Sequence, residues 1–462
     1  MSVPLDPATA PVATALATVE TLELLRELVR ASCVNTGEAS SGGEIRAVRV
    51  LQRFLAEAIE SGAVEAQVFE ASPGRASLVA RVRGTDPEAP SLGLLGHLDV
   101  VPVDADRWTR DPFGGELIGE GADAEVWGRG TVDMLYLTAA FATTLRETAL
   151  AVERPRGDLV LLAVADEEAG GDYGLRWLLR EHPDAFGVTE VLSESGGMRM
   201  GAHVAIDVAE KGSAGRRLVV RGTPGHASIP YGAASAAIAA GEVLQRLASV
   251  EPAAWLGPLW RSFVAARVAD PDLAARMLDP VRLDAALPEL GGIAGYAHAA
   301  SRITISPTVL RAGQAHNVIP SEAHIDLDIR TLPGTSDDEV DALLAEMLGD
   351  LAVGPEPAVE IRHLRGWAAT ESPVDHPLFA AVSRAITQTD GSPVVPIMAA
   401  GGSDARQFRE RGIPSYGFGL LSAEWSYERY RERIHAHDER IDVESVRLTV
   451  EALSRVVADR IG

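Results

Sequence analysis

The chain has 462 residues, of which 46% are hydrophobic and 23% charged, a composition typical of globular proteins rather than of disordered or fibrous ones. Its length predicts two or three domains with cores of their own. Asp and Glu number 66 against 42 Lys and Arg, which gives a formal net charge of −24. Such a surface repels phosphate groups, so nucleic acid is excluded as an expected partner.

Cysteine content and hydropathy indicate where the protein works. Cys33 is the single cysteine, so an intrachain disulfide is excluded. No stretch approaches the roughly 18 consecutive apolar residues of a membrane span. The N-terminal stretch 1–25 lacks the basic region and compact apolar core of a signal peptide. We therefore expect a cytoplasmic protein without a membrane partner.

After a helical N-terminal stretch, short apolar runs alternate with amphipathic segments. Helical spacing of Leu137, Phe141 and Leu145 follows Asp133. Strands alternating with helices favour an α/β domain with a largely parallel sheet, whose ligands collect beyond the carboxyl ends of the strands. The runs predicted as strands are SLVARVRG (77–84), SLGLLGHLDVV (91–101), DLVLLAVADEE (158–168) and EVLSESGG (190–197).

From about Lys211 the pattern changes to a βαββαβ order, which is typical of a small α+β domain with one open sheet face. Three aromatic residues between its first helix and second strand, Trp255, Trp260 and Phe263, are interpreted as core rather than as a ligand-binding cluster. The predicted elements are strand 218–222, helix 233–249, strands 302–310 and 322–330, helix 336–348 and strand 359–364.

The α/β pattern returns after about residue 367, with apolar runs at 394–402 and 414–421 and a closing helix at 443–459. The sequence therefore predicts that the second domain is inserted into the first. The predicted limits are 1–211 and 367–462 for the α/β domain and 212–366 for the inserted domain.

Candidate catalytic side chains follow the ends of the predicted strands. Two imidazoles and several carboxylates without a usable thiol suit Zn²⁺, Mn²⁺ or Co²⁺ and argue against a Cys-rich structural site. They are His97, Asp99, Asp133, Glu167, Glu168, Glu194 and His435. His97 and Asp99 lie at positions i and i+2 of an extended segment, so the carboxylate is expected to orient the imidazole. The alternative for His97 alone is a hydrogen-bonded core histidine.

The adjacent carboxylates Glu167 and Glu168 cannot face the same way on an extended segment. Two ionised carboxylates in apolar surroundings repel each other, and a cation relieves that repulsion. One of them is then expected to bind metal while its neighbour faces the substrate as a proton shuttle. The alternative is a solvated acidic turn.

An ordered set of motifs resembles the M20 metallopeptidase family, over residues 90–440. The motifs are GHLDVVP, WGRGTVDM, ADEEAGG, LSESGG, GTPGHASIP, AHNVIPSEAHIDLDIRTLPG, GGSDAR and HAHDERID. Members of that family are carboxypeptidases, aminoacylases, dipeptidases and deacetylases with two metal ions. The resemblance implies a zinc-exopeptidase-like, three-layer α/β/α catalytic domain with an inserted α+β domain of ferredoxin-like βαββαβ order, which serves as lid and dimerisation domain.

The resemblance also implies the metal ligands. His97, Asp133 and Glu194 would hold one divalent ion, and Asp133, Glu168 and His435 the other, with Zn²⁺ expected and Co²⁺ or Mn²⁺ as alternatives. Glu167 would act as general base and acid, beside Asp99 as the residue that orients His97. His437 is the alternative to His435, which we favour because the following residues 438–441 keep the family register.

Four further positions match substrate-binding residues of the family: His226, Asn317, Arg330 and Gly402. His226 would help to stabilise the tetrahedral oxyanion, often in the site of the partner subunit of a homodimer. The guanidinium of Arg330 would grip a free carboxylate of the substrate. The alternative for Arg330 is an ordinary surface ion pair.

Two positions depart from the family pattern: Leu135, where lysine is frequent, and Ser195, which interrupts the run after Glu194. They leave the subfamily open. The sequence predicts a hydrolase that cleaves a peptide or N-acyl amide bond next to an amino acid with a free carboxylate. The alternatives are a succinyl- or acetyl-amide deacylase of a biosynthetic intermediate and a catalytically silent metal-binding protein on the same scaffold. The presence of Glu167 favours an enzyme.

Overall fold

The computed structural model describes residues 10–354 and 357–462. The first nine residues, which the predicted first domain includes, lie outside the described residues. Within the described part, no helix combines the length and the apolar character that crossing a membrane requires.

Helices and strands alternate along most of the chain. The helices are α1 (Ala10–Ala31), α2 (Ile45–Phe54), α3 (Ala56–Glu60), α4 (Tyr136–Leu150), α5 (Leu175–Glu181), α6 (Ala236–Ser249), α7 (Pro258–Arg267), α8 (Pro271–Met277), α9 (Leu283–Ala286), α10 (Ala294–Ala300), α11 (Asp337–Leu348), α12 (Pro377–Asp390), α13 (Ala405–Arg409), α14 (Tyr427–Arg433) and α15 (Val443–Ile461). The strands are β1 (Glu65–Ser72), β2 (Arg75–Val82), β3 (Leu92–His97), β4 (Glu116–Ile118), β5 (Glu125–Trp127), β6 (Leu159–Val164), β7 (Glu190–Ser193), β8 (Gly196–Met200), β9 (His203–Glu210), β10 (Gly212–Arg221), β11 (Gly225–His226), β12 (Thr304–Ala312), β13 (Val318–Ile319), β14 (Glu322–Thr331), β15 (Val359–Trp367), β16 (Thr370–Glu371), β17 (Val394–Ala399), β18 (Ser415–Gly417) and β19 (Arg440–Asp442).

The chain divides into two compact units. The first comprises Met1–Val208, Ser372–Ile397 and Ser403–Gly462, and the second comprises Ala209–Glu371 and Met398–Gly402. The chain passes between the units at 208/209 and 371/372, where the sequence predicts limits at 211/212 and 366/367. Residues 398–402, which the sequence prediction places in the α/β domain, belong to the second unit.

The first unit is built on a six-stranded sheet in the order β1-β2-β6-β3-β7-β18. Strands β6, β3, β7 and β18 are parallel, and β2 pairs antiparallel with both β1 and β6. On one face, Val160, Leu162 and Val164 of β6 pack against Leu178 of α5 and Phe408 of α13. Helix α4 contacts β3 and β6. Because helices cover the parallel strands, the central strands β3 and β6 are buried along their whole length and almost entirely apolar. The predicted α/β fold class is confirmed.

The second unit contains an antiparallel sheet in the order β12-β14-β10-β15. Residues of β14 alternate in burial, and Ile325, Leu327 and Ile329 face the core formed with α6 and α11. The alternation follows from the two-residue period of a strand with one covered face. Helices α7 to α10 fill the long segment before β12, where Trp260 and Phe263 are each 2% exposed. The core interpretation is confirmed for these two aromatics, whereas Trp255 is only partly buried.

Candidate active site

The predicted metal ligands of the first unit lie at one edge of its sheet. Strand β3 ends at His97, the turn with Glu167 and Glu168 follows β6, and Glu194 follows β7. These three strands are parallel, so their carboxyl ends meet at the same edge. Asp133 precedes α4 and His435 follows α14.

Short distances join these side chains. His97 Nε2 lies 3.2 Å from Asp133 Oδ1 and 3.8 Å from Glu194 Oε2. His435 Nε2 lies 3.1 Å from Asp133 Oδ2 and 3.3 Å from Glu168 Oε2. Asp133 therefore contacts both imidazoles and occupies the centre of the cluster.

Donor atoms of two triads are close enough to share an ion. The atoms of His97, Asp133 and Glu168 lie within 4.8 Å of one another, and so do those of His97, Glu167 and Glu194. Glu167 thus points toward the same centre as the predicted ligands.

Crowding perturbs the carboxylates of this cluster. Burial raises the pKa of Glu167 well above its usual range, and the neighbouring charge of Glu194 raises it further. Burial and the charge of Asp133 raise the pKa of Glu194 to about 8. The ionised forms of these two carboxyl groups are therefore disfavoured here unless a cation lies beside them.

The two imidazoles offset part of that charge. Although burial by itself lowers the pKa of a histidine, hydrogen bonds to Asp133 and Glu194 hold the pKa of His97 well above its ordinary value. Hydrogen bonds to Asp133 and Glu168 raise the pKa of His435 to about 10. Both imidazoles are therefore surrounded by carboxylate oxygens that favour a positive charge at this centre.

The donor set fits a metal centre. Glu168 Oε1 is buried and has no hydrogen-bond partner among the described residues. An unpartnered polar atom in the interior costs about 1–3 kcal/mol, so a ligand for it is expected. Imidazole nitrogens and carboxylate oxygens are ligands that Zn²⁺, Co²⁺ and Mn²⁺ accept.

Asp99 contacts both His97 and the turn that carries Glu167 and Glu168. His97 Nδ1 lies 2.9 Å from the backbone carbonyl oxygen of Asp99, whereas the carboxylate is 3.8 Å away. That carboxylate instead accepts hydrogen bonds from the backbone N–H groups of Glu167 (3.1 Å) and Glu168 (3.2 Å) and from Asn35 Nδ2 (2.8 Å). Because β3 ends at His97, the nearer acceptor for the imidazole is the backbone carbonyl of Asp99 rather than its carboxylate.

A buried ion pair that the sequence analysis missed holds two of the ligand-bearing loops. Glu439 accepts hydrogen bonds from Arg129 Nη1 (2.6 Å) and from three backbone N–H groups of loop 130–133, at 2.8–3.2 Å. Arg129 also donates to the carbonyl oxygen of His435 (3.2 Å). Both charged residues stand inside the motifs WGRGTVDM and HAHDERID, which is the signal that could have identified them.

The four residues predicted to contact substrate belong to the second unit. His226 and Asn317 lie on neighbouring segments, joined by a hydrogen bond from Ala227 N to the carbonyl oxygen of Asn317 (3.0 Å). His226 is exposed, and its Nδ1 lies 2.7 Å from Ser228 Oγ.

Arg330 and Gly402 meet at Trp367. The Arg330 guanidinium lies 5.5 Å from the centre of the Trp367 ring, and a Cβ at Gly402 would lie 3.2 Å from Trp367 Nε1. Asp328 binds Arg330 through two hydrogen bonds, of 2.7 and 3.1 Å. The ion pair that was the alternative for Arg330 is therefore present. It uses Nε and Nη2 of the guanidinium, and Nη1 takes no part in it.

Known proteins resemble this chain over most of its length. A succinyl-diaminopimelate desuccinylase of Wolinella succinogenes is 29% identical over 384 residues, which cover 80% of this chain and 83% of the relative. The N-fatty-acyl-amino acid synthase/hydrolase PM20D1 of Xenopus tropicalis is 26% identical over 414 residues, covering 87% and 78%. The crystal structure of the M20 family metallo-carboxypeptidase Sso-CP2 from Sulfolobus solfataricus matches with a TM-score of 0.70 and 17% identity, covering 95% of this chain and 98% of that one.

The family assignment rests on the greater part of the chain. The model of peptidase family M20/M25/M40 matches residues 93–459. That range contains the strand ends, the loops and the inserted unit described above. The chain therefore belongs to peptidase family M20/M25/M40.

Proposed function

We propose that this M20-family hydrolase cleaves a peptide or N-acyl amide bond next to an amino acid with a free carboxylate. The observation that carries the proposal is the convergence of two imidazoles and four carboxylates on one centre at the carboxyl ends of parallel strands. A site of this composition serves hydrolysis by metal-activated water, which is chemistry for amide bonds.

Two divalent ions are part of the proposal, with Zn²⁺ expected and Co²⁺ or Mn²⁺ as alternatives. His97, Asp133 and Glu194 would hold one, and Asp133, Glu168 and His435 the other. When bound, such ions lower the pKa of coordinated water and polarise a carbonyl oxygen. The short distances from Asp133 to both imidazoles support its role as the shared ligand.

Glu167 moves the proton in the proposed reaction. Its carboxylate takes the proton of the attacking water and returns it to the leaving nitrogen, as one group acting first as base and then as acid. Its place in a donor triad with His97 and Glu194 supports this role. Asp99 holds the backbone of the turn through the N–H groups of Glu167 and Glu168.

The second unit is proposed to bind substrate and to form a homodimer. Arg330 would grip the free carboxylate, with Asn317 and Gly402 as further contacts and His226 at the oxyanion. Exposed apolar side chains on this unit support contact with a second copy of the chain: Ile229, Tyr231 and Ile238 are 74%, 97% and 79% exposed. We also propose a cytoplasmic location, since a lone cysteine is typical of a reducing compartment.

A second candidate is the removal of a succinyl or acetyl group from a biosynthetic intermediate. The resemblance to succinyl-diaminopimelate desuccinylases supports it. Both candidates use the same catalytic residues and differ in how the pocket binds the acyl group. A catalytically silent protein is the third alternative, and Glu167 argues against it.

A substrate screen with controlled metal content tests the proposal. Metal-stripped protein is reloaded with Zn²⁺, Mn²⁺ or Co²⁺ and offered dipeptides, N-acyl amino acids and N-succinyl diamino acids, with and without chelator. We expect metal-dependent release of an amino acid. Preference for the succinyl substrates would select the second candidate, and no turnover of any amide by protein with full metal content would overturn the proposal.

A further inference from the structure

A buried polar network lies behind the turn that carries Glu167 and Glu168. Its members are outside the metal-ligand set, and each is at most 4% exposed: Asn35, Glu44, Arg75, Asp99 and Asp166. Three of the five are carboxylates adjoining a centre that is itself rich in carboxylates. Buried charges of this kind persist only where donors are placed between them.

Asn35 is the donor between two of these carboxylates. Its Nδ2 lies 2.8 Å from Asp99 Oδ2 and 2.9 Å from Asp166 Oδ1. Its Oδ1 accepts from the backbone N–H of Gly37 (2.9 Å) and shares the hydroxyl proton of Ser41 (3.2 Å) with the carbonyl oxygen of Glu38 (2.7 Å). A carboxamide has two N–H donors and two acceptor lone pairs, so all four positions are used. The reversed amide would place its oxygen against two carboxylates.

The two carboxylates fix the turn from both sides. Asp99 accepts from the backbone N–H groups of Glu167 and Glu168. Asp166 directly precedes Glu167, has a φ of +65°, and accepts from the backbone N–H of Tyr173 (2.9 Å). A residue other than glycine keeps a left-handed conformation only where its surroundings impose it.

Other contacts in the network do not replace the amide. Arg75 reaches Asp166 Oδ1 at 2.6 Å, but its guanidinium is also bound by Glu44 through Nε and Nη2, both at 2.9 Å. Asn35 thus joins Asp99 to Asp166, and its own position is fixed by a backbone hydrogen bond from Asn35 N to the carbonyl oxygen of Val100 (2.9 Å).

We propose that Asn35 is a positioning residue for Glu167. Its carboxamide holds Asp99 and Asp166 together and thereby sets the backbone of the turn 166–168 and the direction of the Glu167 carboxylate. The inference rests on the proposed function, because it assigns Asn35 a role in the proton transfer that Glu167 performs.

Three variants separate this role from a structural one. Asn35→Asp keeps the shape and the acceptor toward Gly37 and Ser41 but turns an oxygen toward Asp99 and Asp166. Asn35→Ala removes both the N–H donors and the acceptor oxygen of the amide. Ser41→Ala is the matched control, because it removes the hydroxyl contacts with Asn35, the backbone N–H of Thr36 and the carbonyl oxygen of Glu38 but leaves both carboxylates untouched.

On the substrate that the wild-type protein turns over best, and with every variant at full metal content, we expect kcat of both Asn35 variants to fall about 10- to 100-fold with KM unchanged. Ser41→Ala should keep the wild-type kcat. If Asn35→Asp keeps the wild-type kcat, or if Ser41→Ala loses as much activity as the Asn35 variants, the proposal is wrong.

A second measurement does not need a substrate. Hydrogen–deuterium exchange of the backbone amides of Glu167 and Glu168, followed with and without metal, should accelerate in Asn35→Asp and stay at the wild-type rate in Ser41→Ala. Unchanged protection of these amides in Asn35→Asp would overturn the proposal, whether or not a substrate is known. Inactivity of the wild-type protein on every amide would by itself refute only the proposed function.

Discussion

Replacing Glu439 by Gln tests how the loops that carry Asp133 and His435 are held. The Glu439 carboxylate is fully buried and receives four N–H donors, one from Arg129 and three from loop 130–133. Glutamine has the same shape but a single acceptor oxygen. Its NH₂ group must therefore face two of the four donors.

The structure sets the size of the effect. Changing one partner of a buried ion pair costs about 3–5 kcal/mol, because the other charge is left uncompensated. Arg129 keeps its hydrogen bonds to the carbonyl oxygens of His435 and Ala436 and its contact with the Trp108 ring at 5.3 Å. We therefore expect the lower end, a loss of about 3 kcal/mol in the free energy of unfolding. Loosening both loops should also weaken metal binding about 10- to 100-fold.

Urea unfolding of the metal-free protein, followed by tryptophan fluorescence, measures the first effect, and metal titration measures the second. Glu65→Gln is the control, since Glu65 pairs with Arg83 at 2.9 Å on the surface and both side chains are more than half exposed. Exposed pairs contribute less than about 1 kcal/mol. A Glu439→Gln protein that unfolds at the same urea concentration as Glu65→Gln would refute the reasoning.

Three further outcomes are expected. Glu167→Gln should retain its metal content, measured by elemental analysis, and lose about 10²- to 10⁴-fold in kcat; loss of metal instead would exchange the roles of Glu167 and Glu168. Arg330→Lys should raise KM roughly 10- to 150-fold for substrates with a free carboxylate, since a charged hydrogen bond contributes about 1.5–3 kcal/mol, and amidated substrates should show no such change. Burial lowers the pKa of Lys211 to about 7. Between that pH and the ordinary pKa of lysine, the unfolded chain binds more protons than the folded chain, so the free energy of unfolding rises with pH. Urea unfolding of Lys211→Met as a function of pH should lack that rise.

Local patterns predicted the strands of the six-stranded sheet and of the antiparallel β12-β14-β10-β15 sheet, apart from β1. The runs LGLLGH and LVLLAV indicated buried parallel strands because helices cover both of their faces, and the alternation in EAHIDLDIR indicated a half-covered strand. The sequence does not predict strand β1, because this edge strand has half of its residues exposed and lacks a continuous apolar run. The sequence does not predict helices α7 to α10, because they are only 4 to 10 residues long and give little helical periodicity.

The candidate site, like the fold, was predictable from the sequence only in part. Ligand-type side chains at the ends of apolar runs were predictable, because a buried strand must end where polar residues begin and parallel strands end at a common edge. The resemblance to the M20 family supplied the expected roles.

The sequence by itself determined the chemical types of the site and the edge at which they gather, since both follow from hydrophobic patterning along the chain. Only the tertiary structure decided which distant side chains fix the loops that carry the site residues. Asn35 and Asp99 are 64 positions apart and Asp133 and Glu439 are 306 apart, and contacts at such separations depend on how distant segments pack rather than on any local spacing.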